Sequence, residues 1–69
     1  MIRLRVKEVA TEKNISMRKL SSSAGIAYNT LRTIYRNPYK YISTETLEKL
    51  ARALNCSSSD LIEDVPEKE

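Results

Sequence analysis

An all-α domain is what this sequence predicts, and three observations carry that reading. Apolar residues recur at helical rather than alternating spacing; the 69 residues hold only one Gly and two Pro; and serines stand just ahead of the apolar runs. A first helix is expected from about Arg3 to Lys13, with Val6, Val9 and Ala10 on its buried face and Asn14 ending it. Ser16 is a fitting N-cap for a short second helix from about Met17 to Ser23, because its hydroxyl can accept the free N–H groups of the first turn. Leu20 and Ala24 face inward, Gly25 supplies the permissive backbone of a tight turn, and Ile26 plugs the angle between helices.

A third helix is expected from about Tyr28 to Arg36. Leu31, Ile34 and Tyr35 lie on one side of it, and Asn29, Arg32, Thr33 and Arg36 form a polar, basic face on the other. Asn37 followed by Pro38 is a stop signal, Asn for its tolerance of the left-handed cap and Pro because it cannot continue a helix. After a loop from Asn37 to Ile42, Ser43 caps a fourth helix to about Asn55, whose Leu47, Leu50, Ala51 and Leu54 make the clearest amphipathic stripe in the chain. Ser57 with Asp60 three residues later resembles a capping box that opens a short fifth helix and sets Leu61 and Ile62 against the core. A short tail with Pro66 and several charges is expected to follow Val65, so the domain is placed at residues 1–65 and the tail at 66–69.

Composition narrows the function. With 41% apolar and 30% charged residues, the chain lies outside the disordered class. Its length allows one modest core and no second, catalytic domain. There is no histidine and one cysteine, Cys56, so the usual general base, nucleophile and metal ligands are lacking, the carboxylates fall mostly on exposed helix faces, neither cofactor nor metal is expected, and an enzyme is the weakest option. A lone cysteine gives no disulfide framework, no run approaches the roughly 20 apolar residues of a membrane helix, and no secretory leader is visible, which together point to the cytoplasm.

The charge is lopsided. Nine basic residues stand against Glu8 and Glu12 over positions 1–41, whereas positions 42–69 hold three basic and seven acidic residues. A field of this shape suits a domain that turns one side to a polyanion.

Two helices joined by a glycine-containing turn, the second polar on its outer face, form the helix-turn-helix pattern. The stretch from Ile15 to Arg36 reads Ile-Ser-Met-Arg-Lys-Leu-Ser-Ser-Ser-Ala-Gly-Ile-Ala-Tyr-Asn-Thr-Leu-Arg-Thr-Ile-Tyr-Arg. It resembles the Leu-Ser-x-x-x-Leu-Ala-x-x-x-Gly-Val-Ser-x-x-x-Ile-x-x-Ile-Glu stretch of the phage repressor/Cro-type (XRE) family. Thr46 to Ile62 resembles that family's fourth helix and the opening of its fifth, so the likeness runs over about residues 4 to 63.

The resemblance implies a five-helix, lambda-repressor-like fold and a transcription regulator that binds double-stranded DNA with its third helix in the major groove. Tyr28, Asn29, Arg32 and Thr33 are then the candidates for base contact. Asn29 suits adenine, Arg32 guanine and Thr33 a thymine methyl, while Tyr28 sits at the core boundary, where packing and DNA contact are both open. Phosphate contact is expected from Met17, through its backbone, and from Arg18, Arg36, Tyr39, Lys40 and Tyr41. For Arg3 and Arg5 a solvated first turn is the better reading.

The chain departs from the family where an arginine on helix 1 and a glutamate ending helix 3 often pair, having Ala10 and Tyr35 there, so Tyr35 is expected to pack over Ala10. Met17 stands where the family favours glutamine, Ile42 where it has proline, and Asn37 where it has glycine. The resemblance further implies a weak homodimer on a palindromic operator, its contact expected between Asn55 and Ile62. The rival reading is a protein-binding module of antitoxin or adaptor type that keeps the fold. Against it stands the polar outer face of the third helix, because a protein-docking face has an apolar centre.

Overall fold

The computed structural model describes residues 1–66, so positions 67–69 of the expected tail lie outside the described residues. The order of elements is β1 (Ile2–Leu4), α1 (Val6–Glu12), α2 (Met17–Ala24), α3 (Tyr28–Arg36), α4 (Thr44–Ala53), a 3-10 turn (Ser58–Leu61) and β2 (Ile62–Asp64). Among the described residues there are thus four α-helices rather than the five expected, plus a two-stranded sheet. No helix among these residues is long and apolar enough to cross a membrane.

Local chemistry accounts for most boundaries. Ser16 and Ser43 cap α2 and α4, their hydroxyl oxygens accepting from the N–H groups of Lys19 and Thr46. Asn14 (φ 61), Gly25 (φ 70) and Asn55 (φ 54) adopt the left-handed conformation just beyond α1, α2 and α4. At α1 the N–H of Ile15 reaches the carbonyl of Ala10 and that of Asn14 reaches Thr11; at α4 Cys56 and Asn55 do the same to Ala51 and Arg52. Each pair of bonds satisfies carbonyls that the helix end would leave open.

At Gly25 a Cβ would meet nothing within 4 Å, so only the backbone demands glycine there. Gly25→Ala is expected to lower stability by about 1 to 2 kcal/mol, read as a fall in the urea midpoint, and Gly25→Asn by less.

Three expectations need correction. Asn37 does not take the left-handed cap: it sits at φ −131, because the following Pro38 drives its predecessor toward extended backbone. Its side-chain oxygen accepts instead from the Tyr39 N–H, and its carbonyl from the Lys40 N–H, which fixes the loop by another route. The fifth helix is a single 3-10 turn. The capping box of Ser57 and Asp60 does form, but Ile62 switches to extended backbone (φ −131, ψ 153) to enter β2 and cuts the helix short.

Helix α1, expected from Arg3, starts at Val6. The preceding residues are drawn into an antiparallel ladder in which Ile2, Arg3 and Leu4 face Asp64, Glu63 and Ile62. The ladder runs on into hydrogen bonds between Met1 and Val65 and from Arg5 to Leu61, so Val65 belongs to the folded unit. On its other edge Leu4 donates to the carbonyl of Pro38, tying β1 to the loop after α3.

The core sits where α2, α3, α4 and the 3-10 turn converge. Leu20, Leu31, Leu50 and Leu61, one from each, are fully buried. Helix α2 packs on both α3 and α4, while α1 braces α3 and the 3-10 turn from the other side. This clamp grips α3 by Leu31 and Ile34 and leaves its opposite face free.

Candidate nucleic-acid interface

Helix α3 follows α2 after only Gly25, Ile26 and Ala27, with Ile26 part-buried against the core as the turn requires. The buried positions Leu31 and Ile34 fix the helix's rotation. Asn29, Thr30, Arg32, Thr33 and Arg36 are exposed as a consequence, and Tyr28, 39% exposed, stands at the edge of this surface.

Three details refine the group. The Thr33 hydroxyl donates to the carbonyl of Asn29 at 2.9 Å, so its hydrogen is spent within the helix, and its methyl remains for contact. The Arg18 guanidinium lies over the Tyr28 ring, 5.5 Å from its centroid, joining the starts of α2 and α3. Arg18, Lys19, Arg32, Arg36 and Lys40 make no ion pair among the described residues, whereas Lys49 and Arg52 on α4 pair with Glu45 and Glu48. Among these residues, unpaired positive charge is thus present on α2, α3 and the loop beyond it, as it is at Lys7 and Lys13 on and just after α1.

Other sequence candidates are placed differently. Met17 is part-buried against the core, so only its backbone N–H, which has no acceptor within α2, is available. Tyr39 and Tyr41 are 42% and 97% exposed, but both also line an apolar groove of about 530 Å³ with Met1, Ile2, Ile42, Leu47 and others. Lys19 and Thr30 were not singled out from sequence. Both are exposed beside the candidates, and a position in the first turn of α2 or α3 is the signal that finds them.

A model of the Cro/C1-type HTH DNA-binding domain matches residues 5–67. The chain belongs to this family. Over 69 residues, all of this chain and 62% of the other, it is 35% identical to the HTH-type transcriptional regulator SinR of Bacillus subtilis (strain 168). In a solved structure titled SinR protein/SinI protein complex, one chain superposes with a TM-score of 0.74 at 34% identity, covering 81% of this chain and 54% of that one. This chain thus spans a little over half the length of each. The Cro/C1-type class is one of DNA-binding regulators, not of enzymes.

Within this Cro/C1-type domain, Ala10 and Tyr35, standing where the resemblance implies an ion pair, strand no buried charge among the described residues. Ala10 is buried, and Tyr35 packs part-buried against the core cluster that contains it. Burial raises the pKa of the Tyr35 phenol, and the charge of Glu8 adds to the rise. Arg3, which sequence left in a solvated turn, is held by Glu8 and by Glu63 at 2.8 Å, and Arg5 donates to the carbonyl of Asp60 at 3.3 Å. Arg3 is consequently part of the scaffold. Cys56 lies part-buried beside the core, and burial with the nearby Asp60 charge raises its thiol pKa, which keeps it protonated and slow to react.

Glu8 gives a pH prediction. Its burial pushes the pKa up, but the hydrogen bond from Arg3, a backbone hydrogen bond and the charges of Arg3 and Arg5 outweigh that and hold it below the ordinary 4.5. A depressed folded value means that the stabilisation is complete above pH 4.5 and is lost as pH falls through the folded pKa. Melting curves across this acid range are expected to fall less steeply for Glu8→Gln than for the unaltered chain.

Proposed function

We propose that this chain is a sequence-specific regulator of transcription that lays α3 in the major groove of double-stranded DNA. The observation that carries the reading is the outer face of α3, where Asn29, Arg32, Thr33 and Arg36 are exposed together, and both arginines are free of ion pairs among the described residues. On this reading Asn29 bonds adenine at N6 and N7, Arg32 bonds guanine at O6 and N7, and the Thr33 methyl meets a thymine methyl. The first turn of α2, with the Met17 N–H and Arg18, and Arg36, Tyr39, Lys40 and Tyr41 at and beyond the end of α3 bracket these contacts by meeting phosphates.

A domain this small covers one half-site. Two copies on a palindrome with half-sites roughly 34 Å apart follow from that, as a weak homodimer. The segment expected to join them is polar on its outside: Ser57, Ser58, Ser59 and Asp60 are exposed while Leu61 is buried. That chemistry suits a small, wet contact formed on DNA.

Selection of random duplex DNA on the purified protein tests the function. Enrichment of a palindrome is the expected result, and the absence of any enriched sequence would sink the proposal. The competing protein-docking reading is favoured by the apolar groove between Met1, Ile2 and Tyr41, and that groove does not include the outer face of α3.

A further inference from the structure

We propose that Tyr28 is a positioning residue for Arg18, its ring presenting the guanidinium to a DNA phosphate, rather than a reader of base sequence. This rests on the major-groove reading given above and assigns one position within it.

Tyr28 opens α3 and Arg18 is the second residue of α2, so their contact links the two helices of the motif at the ends nearest the proposed duplex. At 5.5 Å from guanidinium carbon to ring centroid, the pair is within the range of cation–π attraction. Arg18 is exposed and has no acidic partner among the described residues, so its charge is still available to an anion. A free arginine on its long stem loses much rotamer freedom when it meets a phosphate. The ring removes part of that freedom in advance, and it does so in the frame of α3, so the phosphate contact keeps register with the base contacts.

The two roles for Tyr28 need different parts of the side chain. Reading a base edge uses the hydroxyl, whereas holding Arg18 uses the ring face. Tyr28→Phe therefore separates them, and Tyr28→Leu removes both. Both residues are exposed, so the variants keep the core intact.

The experiment is a fluorescence-anisotropy titration of the selected duplex and its single-base variants over a salt series. It compares the unaltered chain with Tyr28→Phe, Tyr28→Leu, Arg18→Ala and the Tyr28→Leu, Arg18→Ala double variant. Tyr28→Phe is expected to bind within about twofold of the unaltered chain, as its ring still supplies the cation–π contact. Tyr28→Leu and Arg18→Ala each weaken binding and flatten the plot of log affinity against log salt, Arg18→Ala by about 0.9, the loss of one phosphate contact. Both keep the ranking of the single-base variants. The double variant binds about two- to fivefold better than independent effects would give.

Additive losses, or a Tyr28→Phe that loses as much as Tyr28→Leu and reorders the single-base variants, would overturn the positioning role while leaving the major-groove reading in place. If the unaltered chain discriminates among no duplexes, the major-groove reading fails first, and this inference fails with it.

Discussion

Asn29→Ala with Arg32→Ala should abolish preference for the selected site and leave a salt-dependent background. Each good bidentate contact to a base discriminates by about 1 to 3 kcal/mol, so losing two is worth about 2 to 6 kcal/mol on the selected duplex and close to nothing on a scrambled one. Both side chains are exposed on α3, and neither belongs to the buried core that holds the helix in place. Stability is therefore expected to stay within about 0.5 kcal/mol of the unaltered chain. Competition binding against scrambled duplex, at two salt concentrations, separates lost discrimination from lost charge. Equal weakening on both duplexes would place Arg32 among the phosphate contacts.

Leu20→Ala should have the largest effect on the fold. Leu20 is completely buried on α2, the helix that packs on both α3 and α4, so truncation opens a cavity at the point where the motif is assembled. Such cavities cost about 2 to 5 kcal/mol. Small domains have only a few kcal/mol of stability in total, so a substantial unfolded fraction is expected without denaturant. Urea titration followed by circular dichroism measures it. Leu47→Ala, on the same amphipathic stripe as Leu50 but only part-buried, serves as the milder comparison. A Leu20→Ala midpoint equal to that of Leu47→Ala would mean that the core is centred elsewhere.

The helices were legible because their signals are local. Ser16, Gly25 and Ser43 announce ends that the structure places at Met17, Ala24 and Thr44, and the expected bounds of α3 coincide with those found. The sheet was not legible. Its strands are three residues each and about 60 positions apart, and neither carries a hairpin turn or a run long enough to show alternation. Without the ladder, helical spacing alone extends α1 back to Arg3 and reads the 3-10 turn as a fifth helix.

The candidate site divides the same way. That Asn29, Arg32 and Thr33 share an exposed face follows from helical period alone. Arg3 engaged by Glu8 and Glu63, Arg18 over Tyr28, and Tyr39 and Tyr41 on a groove with Met1 are all contacts between elements, which period does not report.

The most direct test of the account is a two-dimensional nitrogen–proton NMR titration of the labelled chain with the selected duplex. Shifts concentrated at Asn29, Arg32 and Thr33, and at the first turn of α2, with Lys49 and Arg52 on the outer face of α4 unmoved, are the predicted result. Shifts confined to the groove of Ile2, Tyr41 and Ile42, with α3 silent, would contradict it and show that α3 is not the surface that meets DNA.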